Sequence, residues 1–411
     1  MPLFSSESIR ASFPALREHA DRKPFIFFDG PGGSQMAQQT IDGMLGYITG
    51  GMANLHGTFS TSQATDELLE AGRRGMADFL NCQLQEVAFG QNMTSLAFAI
   101  ARSLGSFIQA GDEIVVTELD HRANVDPWVT LAKDRGAVVK FIPVNPETYT
   151  LELGGLDELI TPKTKLVAVT MSSNVVGTVP PVEQIIQRAK AVRALAVLDA
   201  VHATPHYPID FQKLGADVLF CSAYKFFGPH LGIAVVSAGL FEKLPVYKLA
   251  PAPAYIPDKL ETGTQNHEAI AGLLGTLAFI ETLGEGSTRK ERLRTAMQAV
   301  EEQEQRQAQQ LEKFLKGLPH VRVYRAPADT RKTPTVAFTL EGVNSREACA
   351  WFFEHYSMNI ADGHFYASTL AEKLGIMAQG GWIRLGLAPY NTDQEIELFK
   401  TALLAFIDKT Y

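Results

Sequence analysis

The sequence predicts an α/β protein in which a mostly parallel sheet is covered by helices on both faces. Through the first two-thirds of the 411 residues, short apolar runs alternate with stretches of helical pattern. Most of these runs are rich in Val and Ile and are bounded by Gly, Pro or Asp, which is typical of strands buried on both faces. Strands that alternate with helices favour parallel neighbours joined by crossover helices.

The individual elements follow from this pattern in order. Strands are predicted at 24–29, 86–90, 113–118, 138–144, 165–171, 194–200, 217–223 and 232–238. Helices are predicted between them at 62–80, 94–110, 124–135, 155–161 and 181–193. We expect these elements to form one large domain.

From about residue 265 the pattern changes to that of a smaller α+β unit. A polar helical stretch spans 287–318, and its apolar positions are Leu293, Met297, Val300 and Leu311. They do not sustain a heptad, so a solvated surface helix is favoured over a coiled coil or a partner helix. The later elements are a strand at 333–340, a helix at 345–358, a strand and turn at 381–390 and a helix from Thr392 onward.

The chain has no internal repeat and no low-complexity linker, so we expect its parts to pack tightly. We divide it into an N-terminal segment (1–28) that packs with the small domain, a large domain (29–265) and a small C-terminal α+β domain (266–411).

Composition excludes several classes of function. The 45 acidic and 37 basic residues give a formal charge of −8, which argues against a nucleic-acid or membrane-surface binder. No apolar run approaches the ~20 residues of a membrane span, and the N-terminal residues lack the pattern of a secretory signal. The cysteines Cys82, Cys221 and Cys349 lie far apart, which excludes a disulfide scaffold or a cysteine-rich metal site. We expect a soluble, cytoplasmic enzyme without a metal.

Polar residues follow the predicted strands at the edge where open α/β sheets bind ligands. The candidates are Gln91, Asn92, Met93, Thr94 and Ser95, then His121, then Ser172, Ser173 and Asn174, then Asp199 and His202, and last Ser222, Tyr224 and Lys225. Taken alone, residues 91–95 are explained as well by an ordinary helix N-cap as by a phosphate site. Likewise, a single loop histidine such as His121 is more often simply solvated.

Taken together, these residues suit pyridoxal phosphate. Asp199 is followed 26 residues later by Lys225, and a loop of phosphate-binding type lies upstream. A desolvated lysine loses its proton readily and can form a Schiff base with an aldehyde. An aspartate can pair with the pyridinium nitrogen, and a helix N-terminus can hold the phosphate.

Seven segments then carry a family resemblance: FGQNMTSLAFAIARSL, TELDHRANVDPW, MSSNVVGT, VLDAVHATPH, FCSAYKFFGP, ETGTQN and WIRLGLAPYNT. The chain resembles the class V aminotransferase and cysteine desulfurase-like family of pyridoxal-phosphate enzymes. The resemblance covers nearly the whole chain, from FFDGPGGSQ near residue 30 to the C-terminal helix. It implies the type I fold, with a mostly parallel seven-stranded sheet in the large, cofactor-binding domain and a smaller α+β domain.

The resemblance also implies roles for individual residues. Lys225 matches the lysine that forms the internal aldimine, Asp199 the partner of the pyridinium nitrogen, and His121 the imidazole that stacks on the ring. Thr94 and the backbone of Met93 match the phosphate-binding positions. Further implied cofactor contacts are Ser222, Tyr224 where desulfurases usually have His, Asn174, His202 in place of a frequent Gln, and Thr264.

Substrate and partner contacts are implied in the same way. Arg384 matches the arginine that binds the substrate α-carboxylate, for which a surface ion pair is the competing interpretation. Asn54 falls at a substrate-side position where desulfurases commonly have His. Thr264 matches a residue that reaches the phosphate of the neighbouring subunit, which implies a homodimer with a shared active site.

The sequence departs from the desulfurase pattern at the persulfide cysteine. In the family this cysteine follows a segment of the type R-x-G-H-x-C, and the matching residues here are 361–366. Ala361 stands at the arginine position and Tyr366 at the cysteine position, while His364 is retained. Tyr366 is a candidate acid, base or wall of the pocket, and His364 is a candidate polar contact.

The resemblance implies that a small amino acid forms an external aldimine and loses its Cα proton to Lys225. We favour a desulfurase-like Cβ-lyase without the persulfide cysteine, and a class V aminotransferase or an amino-acid epimerase is the alternative. A scaffold that has lost catalysis is disfavoured by the intact set of candidate residues. A nicotinamide-binding enzyme is disfavoured because FFDGPGGSQM lacks the G-x-G-x-x-G spacing.

Overall fold

The computed structural model describes residues 5–17 and 25–411. Its strands are β1 (Ile26–Phe27), β2 (Val87–Gly90), β3 (Glu113–Thr117), β4 (Val138–Ile142), β5 (Thr164–Thr170), β6 (Leu195–Asp199), β7 (Val218–Ser222), β8 (Gly232–Val236), β9 (Val321–Tyr324), β10 (Thr335–Leu340), β11 (Met358–Asn359), β12 (Ala361–Gly363) and β13 (Trp382–Gly386).

The α-helices are distributed along the whole described chain. They are α1 (Ser6–Arg10), α2 (Gln38–Gly50), α3 (Ser60–Leu80), α4 (Met93–Leu104), α5 (Asp126–Arg135), α6 (Leu156–Leu159), α7 (Val182–Ala191), α8 (Phe211–Leu214), α9 (Ala238–Lys243), α10 (His267–Glu281), α11 (Arg289–Lys316), α12 (Ser345–Tyr356), α13 (Ser368–Lys373) and α14 (Asp393–Thr410).

The large sheet of the described chain has seven strands in the order β2-β8-β7-β6-β5-β3-β4. Strands β3 to β7 run parallel, whereas β8 is antiparallel to both β7 and β2. The predicted α/β fold with a mostly parallel seven-stranded sheet is therefore confirmed.

Helices cover both faces of this sheet because alternate strand residues point in opposite directions. Val115 belongs to an apolar cluster with residues of α3, α7 and α10, while its neighbours Ile114 and Val116 belong to a second cluster with α4 and α5. Strands buried on both faces need apolar residues at every position, which explains the continuous apolar runs of the sequence.

The predicted strand at 24–29 does not join the large sheet. Residue 24 lies outside the described residues, and β1 pairs in parallel with β11 in a separate two-stranded sheet. Ile26 and Phe28 pack into the apolar cluster of the C-terminal part of the chain, where the Phe28 ring lies 6.0 Å from that of Phe399. The sequence predicts the strand and places residues 1–28 against the small domain. The pairing with β11, more than 300 residues away in the chain, has no signal in the local sequence.

The C-terminal elements form a four-stranded antiparallel sheet in the order β12-β13-β10-β9. Helices α11, α12 and α14 share an apolar cluster with it. The predicted helix from Thr392 is confirmed as α14, with the Thr392 side chain and Glu395 forming a capping box.

Helix α11 is less solvated than the sequence pattern predicts. Its Met297 and Val300 are buried in the cluster beneath the large sheet, whereas Leu311 is buried in the cluster of the small sheet. The helix therefore links the two apolar clusters along one face and exposes charged residues on the other.

Helix α10 packs against α2 and α3, which belong to the N-terminal part of the chain. The predicted division at residues 265 and 266 places α10 with the small domain instead. The domain boundaries stay a prediction, and this packing favours a boundary after α10.

Among the described residues, no helix is long and apolar enough to cross a membrane. Within the same ranges, no group of three or more His, Cys, Asp and Glu side chains could hold a metal ion.

Gly232 at the start of β8 allows close packing beneath the N-terminus of α4. A Cβ atom at this position would lie 2.3 to 2.7 Å from backbone atoms of Asn92, which is the N-cap of α4. These are backbone atoms, so a side chain at position 232 requires the start of α4 to move.

We predict that Gly232→Ala lowers the free energy of unfolding by about 1 to 3 kcal/mol, the usual cost of overpacking. Gly239→Ala is the matched control, because a Cβ atom there meets no other atom within 4 Å and Ala favours the helix α9. Urea denaturation measures both. Equal stability of the two variants would contradict the close packing of β8 against α4.

Candidate active site

A cavity of about 700 Å³ lies at the carboxyl ends of the parallel strands. It is bounded by the start of α4, by residues that follow β3, β5, β6 and β7, and by Arg384 of β13. The sequence-predicted residues that line it are Asn92, Met93, Thr94, His121, Ser172, Asn174, Asp199, His202, Ser222, Tyr224, Lys225, Tyr366 and Arg384. The structure thus brings most of the predicted site residues to one place.

Of the residues to which the family resemblance gives a role, three do not line the cavity. Asn54 and Thr264 are exposed, and the Asn54 side chain accepts a hydrogen bond from the backbone of Leu55. His364 lies behind Tyr366, where its Nδ1 accepts a hydrogen bond from the Tyr366 amide at 3.0 Å. Their predicted roles stay predictions, because nothing in the fold of the single chain brings them to the cavity.

Lys225 extends from a 3₁₀ turn directly after β7 and reaches into the cavity. Its Nζ donates a hydrogen bond to the carbonyl oxygen of Pro31. The pKa of Lys225 is lowered from 10.5 to about 7, mainly by burial and also by the nearby Arg384 guanidinium, while Asp29 and Asp199 oppose the shift. A large share of this amine is therefore neutral at pH 7, which suits a nucleophile or a base.

Asp199 is the last residue of β6 and is buried. Its Oδ1 accepts a hydrogen bond from the amide of Val201 at 2.9 Å. Burial raises the pKa of Asp199 to about 6, while the Val201 amide and Lys225 oppose the shift. A carboxyl group with this pKa is mostly ionised at neutral pH and can share a proton with a basic ring nitrogen.

His121 follows β3 and presents an imidazole to the same cavity. Its Nδ1 accepts a hydrogen bond from the amide of Ala123 at 3.0 Å, which places the ring proton on Nε2. Burial lowers the pKa of His121 to about 4, and the positive charges of Lys225 and Arg384 add to the shift. The ring is therefore neutral at pH 7, and its centroid lies 5.3 Å from that of Tyr366.

Arg384 lies in the middle of β13 with its side chain only 3% exposed. Nη1 donates to the carbonyl oxygen of Asn174 at 3.0 Å, and Nη2 donates to Oδ1 of Asp29 at 2.7 Å. The guanidinium carbon lies 3.7 Å from the centroid of the Phe365 ring. A surface ion pair was the competing interpretation of Arg384. The structure shows an ion pair with Asp29, but both residues line the cavity.

The segment that contains Tyr366 is attached to the cavity rim at several points. Asn174 Nδ2 donates to the carbonyl oxygen of Phe365 at 2.9 Å, and the Arg122 amide donates to that of Tyr366 at 2.9 Å. Phe365 and Tyr366 both have left-handed backbone conformations, with φ of 51° and 58°. The Phe365 ring faces Arg384, while the Tyr366 side chain is 65% exposed.

The N-terminus of α4 lines the cavity and offers an anion site there. Asn92 caps the helix by accepting a hydrogen bond from the Ser95 amide at 2.8 Å. The first-turn amides of Met93 and Thr94 have no acceptor within the helix, and the helix dipole favours an anion there. Residues 91–95 can therefore form both an N-cap and an anion site, because the N-cap uses the Ser95 amide and the anion site uses the amides of Met93 and Thr94.

Several buried polar atoms at this cavity have no hydrogen-bond partner among the described residues. They are Ser172 Oγ, Asn174 Oδ1, His202 Nδ1 and Arg384 Nε. His202 is held from its other side, because Nε2 lies 3.1 and 2.8 Å from the hydroxyls of Thr333 and Thr335. Buried polar atoms without partners are costly, so this set fits a polar ligand with both donors and acceptors.

Sequence reasoning missed some residues that line the cavity. Asp29 and Pro31 belong to the segment FFDGPGGSQ, Arg122 and Phe365 adjoin predicted site residues, and Asp126 is the first residue of α5. Asp29 had a usable signal, since it ends a predicted strand as Asp199 does. Its contact with Arg384 depends on long-range packing and has no signal in the local sequence.

The comparisons with known proteins agree with this geometry. The family model described as aminotransferase class-V matches residues 26–399. The chain belongs to the class-V aminotransferase family. Enzymes of this family depend on pyridoxal phosphate.

Two relatives with high coverage are cysteine desulfurases. The chain is 30% identical over 410 residues to a cysteine desulfurase of Yersinia pestis (strain Pestoides F), covering 96% of each chain. It is 30% identical over 411 residues to a cysteine desulfurase of Serratia proteamaculans (strain 568), again covering 96% of each.

Solved structures show the same fold. The apo structure of a cysteine desulfurase from Thermococcus onnurineus NA1 has a TM-score of 0.86 and 26% identity, covering 98% of each chain. A cysteine desulfurase from Escherichia coli has a TM-score of 0.85 and 24% identity, covering 98% of this chain and 99% of the other. The predicted resemblance to this family is confirmed, and so is the type I fold.

We predict that Lys225 reacts as a neutral amine near pH 7. Reductive methylation of the cofactor-free class-V chain with formaldehyde and cyanoborohydride, mapped by peptide mass spectrometry, should show labelling of Lys225 that rises with pH around a midpoint of about 7. An exposed lysine such as Lys313 provides the reference for reagent efficiency. A midpoint above pH 9 for Lys225 would contradict the desolvation of its amine.

Proposed function

We propose that the protein is a pyridoxal-phosphate enzyme that acts on a small amino acid as a desulfurase-like Cβ-lyase without a persulfide cysteine. The observation that carries the proposal is the convergence of Lys225, Asp199, His121 and Arg384 on one cavity. A neutral amine, a buried carboxylate, a neutral imidazole and a buried guanidinium each supply a different part of the chemistry.

The cavity offers the contacts that pyridoxal phosphate needs. Lys225 would hold the aldehyde carbon, Asp199 the ring nitrogen, and the amides of Met93 and Thr94 the phosphate. The orphaned atoms Asn174 Oδ1 and His202 Nδ1 would face the remaining polar groups of the cofactor or the substrate. Ser222 and Tyr224 line the same wall and complete the proposed contacts.

When bound, pyridoxal phosphate draws electrons away from the Cα atom of an attached amino acid. Asp199 keeps a proton at the ring nitrogen, because its ionised form is the stable one at neutral pH. His121 presents a neutral ring and so adds no positive charge against the cofactor. Lys225, once its amine is free, accepts the Cα proton, which its pKa of about 7 permits.

Arg384 would bind the α-carboxylate of the substrate. Its Nε–H is buried without a partner, and Phe365 shields one face of the guanidinium from water. Charge-assisted hydrogen bonds are strong in such surroundings and fix orientation as well as affinity. Lys225 and Arg384 would then act on neighbouring atoms of the same amino acid.

The cysteine positions support a lyase in preference to a persulfide relay. Among the described residues that line the cavity, none is a cysteine. Burial raises the pKa of all three thiols, and only a thiolate is a good nucleophile. The segment around Phe365 and Tyr366 is held by Asn174 and Arg122, which favours a fixed wall over a swinging arm.

We further propose a cytoplasmic homodimer that binds neither nucleic acid nor membrane. The support is a set of large apolar side chains left exposed on the single chain, together with the exposure of Thr264. They are Met52 at 60%, Phe59 at 58%, Tyr247 at 71%, Leu249 at 66% and Tyr255 at 59%. A second copy would cover such surfaces and bring Thr264 to the neighbouring phosphate site.

Incubation of the loaded enzyme with a panel of amino acids tests the proposed reaction. With L-cysteine we predict sulfide, pyruvate and ammonia in equal amounts, because the Cβ–S bond breaks and water supplies the keto oxygen. Lys225→Ala should slow product formation by at least about 100-fold, the usual loss for an essential base. A variant with Cys82, Cys221 and Cys349 all replaced by Ala is the control and should keep the activity.

Other products would overturn the lyase assignment. Sulfide with alanine would indicate a desulfurase, and loss of activity in the cysteine-free variant would locate its sulfur carrier. A keto acid whose formation requires an added amino acceptor would indicate an aminotransferase. Inversion at Cα would indicate an epimerase.

A further inference from the structure

Asp29 is the one acidic side chain in direct contact with Arg384 among the described residues. Its Oδ1 accepts a hydrogen bond from Nη2 at 2.7 Å, and its side chain is 37% exposed. Because Asp29 also lines the cavity, this exposed part faces the space in which a substrate would lie. The family resemblance gave Asp29 no role.

The backbone fixes Asp29 in this place. The Gly386 amide donates to the carbonyl oxygen of Phe28 at 2.7 Å, and Asp29 forms a parallel bridge with Gly386 at the end of β13. The Asp29 carbonyl oxygen accepts hydrogen bonds from the amides of Gly32 and Gly33 at 3.0 and 3.2 Å. This turn therefore carries the Asp29 carboxylate beside β13.

Gly32 leaves the space that the carboxylate fills. A Cβ atom at position 32 would lie 2.1 to 2.8 Å from the carboxyl atoms of Asp29. The backbone of Gly32 does not have a positive φ, so the glycine is needed here for space and not for conformation.

Asp29 accepts a hydrogen bond from only one of the nitrogen atoms of the Arg384 guanidinium. The described contact joins one oxygen to Nη2, while Nε of Arg384 stays buried without a partner. Arginine presents five donors, so a substrate carboxylate can bind at Nε beside Asp29 and need not displace it.

The pair therefore presents a positive and a negative group side by side to the cavity. A free amino acid carries a negative α-carboxylate and a positive α-ammonium on the same carbon atom. These two charges are complementary to those of Arg384 and Asp29. We propose that Asp29 is a specificity-determining residue that receives the α-ammonium of the incoming amino acid while Arg384 receives its α-carboxylate. This inference rests on the proposed function only for the carboxylate role of Arg384.

Binding of L-alanine and propionate to the cofactor-free full-length chain tests the inference, because the two ligands differ by the ammonium group alone. Titration calorimetry on wild type and Asp29→Asn measures both affinities. We expect Asp29→Asn to weaken the binding of L-alanine by about tenfold, the usual effect of losing a charge-assisted hydrogen bond. The affinity for propionate should stay unchanged or increase. Asp362→Asn is the control, because Asp362 lies on the adjacent strand β12 outside the cavity lining, and both affinities should stay as in wild type.

Gly32→Ala provides a second variant that keeps the charge. The added Cβ atom must push the Asp29 carboxylate away, which costs little because a side-chain end can move. Gly32→Ala should therefore also weaken the binding of L-alanine relative to that of propionate. This variant tests the inference even if Asp29→Asn fails to fold.

Each other result contradicts the inference in a different way. Tighter binding of both ligands by Asp29→Asn would make Asp29 a competitor for Arg384, and equal weakening of both would make it only a support for the guanidinium. If wild type binds L-alanine and propionate but the variants keep their ratio, this inference fails while the proposed function stands. If wild type binds neither, the carboxylate site of the proposed function fails as well.

Discussion

The removal of the Lys225 amine from water is the constraint on which the rest of the site depends. An ammonium group is costly to bury, so the pKa of this amine falls to about 7 and a large share of it is neutral at neutral pH. Asp199 and Asp29 oppose this shift and Arg384 strengthens it, so the balance of these charges sets the reactivity of the lysine. Moving any of them changes the chemistry that the cavity can perform.

The fold imposes this balance through the ends of its strands. Strands β6 and β7 lie side by side in parallel, so Asp199 at the end of one and Lys225 just beyond the other open onto the same cavity. The third group arrives from the opposite side, because β13 of the small sheet brings Arg384 against the segment that contains Asp29. The site therefore requires both sheets and the packing between them.

Sequence reasoning could identify the groups that depend on one strand and its following loop. Buried apolar runs can be recognised in the sequence, and such runs precede Asp199, Lys225, His121 and the start of α4. The Asp29–Arg384 pair and the contact of Phe365 with Arg384 could not be predicted, because each joins segments that are distant in the chain. The pairing of β1 with β11 escaped prediction for the same reason.

The proposed function depends on Lys225 as the residue that carries pyridoxal phosphate. Borohydride reduction of the protein after incubation with pyridoxal phosphate, followed by peptide mass spectrometry, tests it most directly. We predict loss of a visible absorption band on reduction and a single pyridoxyl adduct on Lys225, absent from Lys225→Ala. No adduct in the wild-type protein, or an adduct on another lysine that persists in Lys225→Ala, would contradict it.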